Sequence, residues 1–178
     1  MSLENLNLND YIRKVQDFPK KGVLFYDITS ILTSPAAFAW CIEKMAEIYA
    51  DKKLAAIAAI EARGFVFAAP FAAKIGAPLI LIRKKGKLPG VTARKSYSLE
   101  YGSAEIEIIP EDVPKGGNVL LMDDLIATGG TLKAAKDLLT ESGALVTDIF
   151  GVIGLSFFPY KDSLSGVNVT TLINYDSE

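Results

Sequence analysis

The run from Val119 to Thr131, VLLMDDLIATGGT, constrains the fold more than any other stretch of the chain. Val119 to Met122 are continuously apolar, the pattern of a strand covered on both faces, as in a parallel sheet lying between helices. Asp123 and Asp124 sit where such a strand ends. Gly129, Gly130 and Thr131 then lead into TLKAAKDLLTES, where Leu132, Ala135, Leu138 and Leu139 recur at helical spacing, and Gly143 supplies a stop. A turn between strand and helix aims free backbone N–H groups and the positive end of a helix dipole outward, here beside the Thr128 and Thr131 hydroxyls. That suits a phosphate monoester. Carboxylates repel phosphate but accept hydrogen bonds from vicinal hydroxyls, so the simplest ligand carries a ribose diol and a 5′-phosphate. Neither a P-loop nor a G-x-G-x-x-G fingerprint is present. A bare TGGT would read better as a plain polar turn; the attached strand and acid pair favour a site.

Composition bounds the rest. With 178 residues, 50% of them hydrophobic, the chain is expected to form one domain over 1–178. Cys41 is the single cysteine, which excludes an internal disulfide, and its setting in AFAWCIEKMAEIYA predicts a buried, inert thiol. No segment has the pattern of a signal peptide and no apolar run is long enough to span a bilayer, so the cytoplasm is the expected location, with no membrane partner. A net charge of −2 with interspersed signs argues against nucleic acid as the main partner. The chain has no histidine, which removes imidazole zinc sites, histidine-dependent nucleophiles and histidine acid–base chemistry. A reaction whose transition state needs charge stabilisation more than a base suits this inventory.

Apolar runs alternate with helical patterns, the signature of an α/β fold built on an open parallel sheet. A short helix is expected over Leu8 to Val15, before the turn-rich FPKKGVLFYDI. Pro35 to Ala50 reads as an amphipathic helix capped by Ser34. Leu54 to Ile60, Leu79 to Ile82, Leu145 to Leu155 and Val167 to Ile173 read as strands. GFVFAAPFAAKIG is helical in composition, with Pro70 expected to delay or kink the helix. Ala104 to Ile109 alternates as a strand with one wet face. No repeat or second domain is seen.

Two strand ends carry further chemistry. Leu54 to Ile60 runs into Glu61, Ala62, Arg63 and Gly64, placing an arginine at the carboxyl edge of the sheet, where ligands of open α/β sheets gather. The next strand runs into RKKGKLPG, whose Arg83, Lys84, Lys85 and Lys87 would alone be a solvated surface. Beside Arg63 and a ribose-phosphate site they become the natural seat of a second anion such as pyrophosphate. Between Gly90 and Gly102 lies GVTARKSYSLEYG, a polar, glycine-bounded segment of the kind that forms lids. From spacing alone, Tyr97, Leu99 and Tyr101 on one face of an ordinary hairpin arm is the better reading.

In chain order, DFPKKGVLFYDIT, EARGF, LIRKKGKLPG, YSLEYG and VLLMDDLIATGGT together resemble the type I phosphoribosyltransferase family, over nearly the whole chain. The acid pair with ATGGT marks the wider family that uses 5-phosphoribosyl 1-pyrophosphate (PRPP); YSLEYG and IRKKGKLPG point to its adenine branch. The resemblance implies an open parallel twisted sheet flanked by helices, with residues 1–34 as a small hood over a base site. It implies that Ala127, Thr128, Gly129, Gly130 and Thr131 hold the 5′-phosphate and that Asp123 and Asp124 hold the ribose hydroxyls. Arg63, Arg83, Lys84 and Lys87 would address pyrophosphate, in cis or across a dimer interface. Adenine would lie against Val23, Leu24, Phe25 and Asp27, with Phe25 stacking. Tyr97, Glu100 and Tyr101 would belong to a closing loop, Glu100 acting at the N7 side of adenine and sharing the catalytic role with Arg63.

The implied reaction is displacement of pyrophosphate from C1 of the ribose by adenine N9, through an oxocarbenium-like transition state, giving AMP for purine salvage. Mg²⁺ would be carried mainly by PRPP with no direct protein ligand, in keeping with its reluctance to dehydrate, and the enzyme would be a homodimer. Tyr26 stands where many relatives carry arginine, so the groups reading that end of the base stay open. Two rivals are weaker. A site for hypoxanthine, guanine or xanthine wants a lysine facing the exocyclic oxygen, which the sequence does not offer at an identifiable place. A PRPP-sensing regulator calls for a nucleic-acid-binding domain or a basic face.

Overall fold

Small side chains in the segment AIAAI set the centre of the molecule. In the computed structural model, which describes residues 6–98 and 103–177, strand β3 (Ala56–Ile60) is buried along its whole length. It pairs in parallel with β4 (Leu79–Lys84) on one side and with β7 (Asn118–Ile126) on the other. Beyond β7 lie β8 (Leu145–Leu155) and β9 (Asn168–Tyr175), both parallel. Beyond β4, β6 (Ser103–Ile108) and β5 (Ala93–Ser98) add an antiparallel hairpin, giving the order β5-β6-β4-β3-β7-β8-β9. The expected open parallel sheet is therefore present, with an antiparallel edge. Alternation sorts the core: Ile57, Ala59, Leu120 and Met122 face one apolar cluster, while Ala56, Ala58, Val119 and Leu121 face the other.

Helices cover both faces. On the first, α2 (Pro35–Ile48) begins with Pro35 in its first turn and Ser34 Oγ accepting from the Ala37 N–H at 3.3 Å, and buries Cys41 and Met45. Burial pushes the Cys41 thiol up to about 12, as expected of an inert cysteine. α3 (Arg63–Ile75) packs beside it. This helix starts at Arg63, ahead of Pro70, and runs through it, so the proline does not delay its beginning. On the second face, α4 (Gly130–Glu141) buries Leu132, Ala135, Leu138 and Leu139, the apolar stripe read from the sequence. Among the described residues, no helix is long and apolar enough to cross a membrane.

The N-terminal segment departs from the helical expectation. Leu8–Tyr11 is a single 3₁₀ turn, and Arg13–Gln16 is a strand, β1, pairing antiparallel with β2 (Leu24–Asp27) in a separate two-stranded sheet. Leu8 and Ile12 are both buried, which reproduces helical spacing over one turn only. Ser30 Oγ, in the single turn α1 (Thr29–Leu32), accepts from the Arg13 N–H at 2.9 Å and lies 2.7 Å from the carbonyls of Tyr11 and Asp27, fastening both strands. At the far side of the molecule's sheet, the Tyr26 ring stacks on Tyr175 of β9 at 3.9 Å, and the Tyr175 hydroxyl donates to Asn9 Oδ1 at 2.7 Å.

Two strands also differ from their sequence reading. β7 does not end at the acids: pairing with β3 stops at Met122, but pairing with β8 continues through Asp123, Leu125 and Ile126. Gly151 allows this, because a Cβ there would lie 2.6 Å from Ile126 Cγ1. On β6 the polar positions are not uniformly wet. Glu105 is half-exposed, but Glu107 is completely buried, since the chain after β4 folds over it.

Candidate active site

The turn from β7 into α4 encloses a hollow of about 120 Å³ walled by Ala127, Thr128, Gly129, Gly130 and Thr131. Gly129 adopts φ 78° as the cap residue of α4 and offers no side chain to the first-turn N–H groups, which leaves them for a ligand. Glycine is doubly required there: the φ is left-handed, and a Cβ would press on Leu164 at 3.2 Å and on Tyr160 at 3.3 Å. Tyr160, in the short turn α5 (Tyr160–Ser163), is buried with its hydroxyl 3.1 Å from Asn174 Oδ1, so it forms a fixed floor under the turn.

Next to this hollow, sharing Asp123 and Thr131 with it, opens a cleft of about 350 Å³. Glu61, Arg63, Arg83, Lys84, Tyr97 and Asp124 complete its polar lining. Parallel pairing explains the convergence, because β3, β4 and β7 all deliver their carboxyl ends to the same edge.

Charge in the cleft is arranged in pairs. Asp124 is 4% exposed and forms an ion pair with Arg63 Nε at the first residue of α3. Asp123 is half-buried, and its Oδ1 accepts from the Asp124 N–H at 2.8 Å. Burial, then the adjacent Asp124 charge, pushes the Asp123 carboxyl well above the usual carboxylate range, against a smaller pull from that backbone hydrogen bond. A hydroxyl-bearing ligand would relieve both acids by donating to them. Arg83 Nε binds Glu61 Oε2 at 2.7 Å and its Nη1 donates to the Lys87 carbonyl at 3.1 Å. Lys85 pairs with Glu105 at 2.7 Å. The ammonium groups of Lys84, in the cleft wall, and of Lys87, on the loop after β4 and outside that wall, have no hydrogen-bond or ion-pair partner among the described residues.

Other sequence-predicted residues fall in three places. Val23 precedes β2, which carries Leu24, Phe25 and Asp27 in the two-stranded sheet, with Phe25 meeting Phe18 edge-on at 5.0 Å. The Asp27 carboxyl is held below its usual range, chiefly by the Thr29 hydroxyl, with Arg13 and Arg63 adding smaller electrostatic contributions. Tyr97 sits on β5 within the cleft wall, on the antiparallel hairpin that spacing alone favoured. Glu100 and Tyr101 lie outside the described residues. Glu61, Glu107 and Tyr160 were given no role by the sequence reading; Glu61 alone had a signal, its place two residues before the arginine of EARGF.

Residues 27–153 match the family model of the phosphoribosyl transferase domain. The adenine phosphoribosyltransferase of Treponema denticola is 63% identical over 94% of this chain and 88% of its own. Among solved structures, adenine phosphoribosyltransferase from Thermoanaerobacter pseudethanolicus superposes with a TM-score of 0.91 at 40% identity, covering 98% of this chain and all of that one. The Saccharomyces cerevisiae enzyme, complexed with D-2,5-dideoxy-2,5-imino-altritol 1,6-bisphosphate and adenine, gives a TM-score of 0.87 at 34% identity, covering 93% of this chain and 96% of that one. A strand-turn-helix phosphate cradle, an acid pair beside it and a full-length match of sequence and fold converge on one assignment: the chain belongs to the phosphoribosyl transferase family, and within it to the adenine phosphoribosyltransferases.

Proposed function

We propose that the two adjoining hollows transfer the 5-phosphoribosyl group of PRPP to N9 of adenine, releasing pyrophosphate and AMP in purine salvage. The observation that carries this reading is the sharing of Asp123 and Thr131 between a glycine-rich phosphate turn and a cleft lined by cations. The 5′-phosphate sits on the free N–H groups of Ala127 to Thr131, and the ribose hydroxyls donate to Asp123 and Asp124. Arg63, freed from Asp124 when the sugar takes over that carboxylate, joins Arg83, Lys84 and Lys87 around the pyrophosphate. As the glycosidic bond lengthens, negative charge grows on the leaving group, and these cations bind it more tightly than in the ground state. Positive charge growing on the sugar faces the two carboxylates.

The donor chemistry suits magnesium: the cleft offers hard carboxylate oxygens beside cations that accept a pyrophosphate. Asp123 and Asp124 would supply oxygens to the water shell of a magnesium ion carried by PRPP, which when bound would offset negative charge on the leaving pyrophosphate. Adenine is read by the β1–β2 sheet, with Phe25 stacking and backbone groups of Val23 and Leu24 at the base edge; Asp27 supports the pair through Thr29. Residues 1–34 form the hood, and Tyr97, Glu100 and Tyr101 close the site, with Glu100 serving the N7 side. The yeast relative's complex with adenine and an imino-sugar bisphosphate supports a base pocket beside a phosphosugar pocket.

The working enzyme is proposed to be a cytoplasmic homodimer that handles neither nucleic acid nor membrane. Exposed Val66 on α3 and Leu81 on β4, at 39% and 37%, support a face covered by a second copy. Sedimentation at two times the monomer mass is the expected result.

The deciding experiment is pyrophosphate release from PRPP and Mg²⁺ with adenine, hypoxanthine, guanine and xanthine offered separately. Adenine-dependent release yielding AMP, with the oxopurines inert, is expected. Turnover of an oxopurine overturns the base assignment, and PRPP binding without release for any base overturns catalysis.

A further inference from the structure

Glu107 is a charged side chain with no solvent exposure, placed on β6 between two arginines: its Cα partners are Arg83 on β4 and Arg94 on β5. Its carboxylate is fully used. Oε1 accepts from the backbone N–H groups of Lys87 at 2.8 Å and Leu88 at 2.9 Å, and Oε2 accepts from Arg94 Nε at 3.1 Å and Thr92 Oγ1 at 3.2 Å. The segment from Lys87 to Arg94 is thus wrapped around one buried anion. Lys87 is held from both sides of its residue, because its carbonyl accepts from Arg83 Nη1 at 3.1 Å, and Arg83 is itself fixed by Glu61 at 2.7 Å. What remains free is the Lys87 side chain.

A carboxylate buried in this way is a poor device for stability alone. An apolar residue of similar size contributes as much without the desolvation cost, and a buried ion network is retained to advantage where it fixes a geometry. The geometry fixed here is that of the basic loop.

We infer that Glu107 is a positioning residue for the pyrophosphate half of the reaction, holding the Lys87 backbone so that the unpartnered Lys87 ammonium, together with Lys84, is presented to the leaving group. The inference rests on the proposed assignment of this basic segment to pyrophosphate. Glu107 acts through the loop and does not touch substrate. Its signature is therefore selective: substrates carrying pyrophosphate feel its loss, and those lacking it do not.

The test uses the full chain in both directions, with Glu107→Gln, Thr92→Val, Lys87→Ala and Lys84→Ala compared against the parent. In Glu107→Gln the KM for pyrophosphate, measured with AMP, and the KM for PRPP are expected to rise about tenfold, the scale set by weakening hydrogen bonds to a charged group. KM for AMP and for adenine is expected to stay within about twofold, and Thr92→Val, which removes one donor and leaves the carboxylate, to show the same split at about threefold. Should Glu107→Gln fail to fold, the split in Thr92→Val decides. A uniform rise for all four substrates, or a fall in kcat tracking a lower Tm, makes Glu107 merely structural and overturns the inference. If Lys87→Ala raises the pyrophosphate KM while Glu107→Gln and Thr92→Val do not, the segment keeps its role and Glu107 loses its own. If Lys87→Ala and Lys84→Ala are both without effect, it is the assignment of the segment that fails, and the inference falls with it.

Discussion

Replacing Gly64 by alanine measures how closely Asp123, the acid proposed to bind the sugar, is held. Gly64 is buried in the first turn of α3, and a Cβ there would lie 3.2 Å from Asp123 Oδ1, 3.3 Å from Asp123 Cα and 3.4 Å from the Met122 carbonyl. Two of these are backbone atoms of β7, a strand held at Met122 by Ala59 on one side and Phe150 on the other. The strand cannot yield, so α3 backs away by a few tenths of an ångström or the carboxylate turns. Overpacking of this kind costs about 1–3 kcal/mol. Alanine returns at most roughly 1 kcal/mol of helix preference, since Gly64 has no left-handed φ to relieve. The net destabilisation is about 0–3 kcal/mol, at about 2–4 °C of Tm per kcal/mol in a domain of this size. Catalysis has no such offset, because the displaced atom is the one expected to receive the ribose hydroxyls. Misplacing it by a fraction of an ångström is expected to lower kcat/KM for PRPP about tenfold. Initial rates with PRPP varied at saturating adenine, beside thermal melts, provide the measurement. A raised Tm with KM for PRPP unchanged would falsify the close-contact reasoning.

Three other outcomes follow from the charges. Asp123→Asn relieves an acid whose pKa is raised by burial and by Asp124; since ionised Asp123 costs stability increasingly as pH rises from its unfolded value, the variant should be more stable by about 1 kcal/mol at neutral pH yet less active. Urea midpoints at neutral pH check the first half, and a lower midpoint contradicts it. Arg63→Ala should lose about 100-fold in turnover, the scale of one electrostatic donor, while stability falls by only about 1 kcal/mol because the guanidinium is half-exposed; melts declining in step with activity count against the role. Glu107, whose carboxyl is held down to about 2 first by the Leu88 N–H and then by Lys87, Arg94 and Thr92, contributes stability that is complete above 4.5 and lost as pH falls through about 2. The stability gap between parent and Glu107→Gln should therefore narrow over that interval in acid unfolding, and a constant gap refutes it.

Elements whose signal is local were legible from the sequence. The apolar run before Asp123 and the stripe of α4 each carry their period over enough residues to fix a type, and the Ser34–Pro35 pair marks a helix start by side-chain chemistry alone. The acid pair and the glycine-rich turn lie in one short run, so their convergence on adjoining hollows follows from local sequence. What escaped depended on partners distant in the chain. Leu8 and Ile12 imitate a helix until β2 supplies Arg13–Gln16 with a strand to pair with. The end of β7 is set by Gly151 on β8, which no feature near Asp124 announces. Glu105 and Glu107 are alike in the alternation of β6, and only the fold-back of Lys87 and Leu88 separates a wet carboxylate from a buried one. The basic cluster likewise looked uniform, whereas the structure commits Arg83, Lys85 and Arg94 to Glu61, Glu105 and Glu107 and leaves Lys84 and Lys87 uncommitted.

The stack of Tyr26 on Tyr175 has a consequence for biosynthesis. Tyr175 and its hydrogen-bond partner Asn9 are separated by 166 positions, so the first strands to leave the ribosome are anchored by the last. The turn from β7 into α4 joins near neighbours in the chain, yet its floor, Tyr160 with its hydroxyl at Asn174 Oδ1, also waits for β9. A nascent chain can therefore complete neither that floor nor the aromatic anchor of the β1–β2 sheet until β9 is in place. The two halves of the proposed site, the glycine-rich turn and the β1–β2 sheet, are thus completed by one event, the pairing of β9 with β8 that brings Asn174 to Tyr160 and Tyr175 against Tyr26.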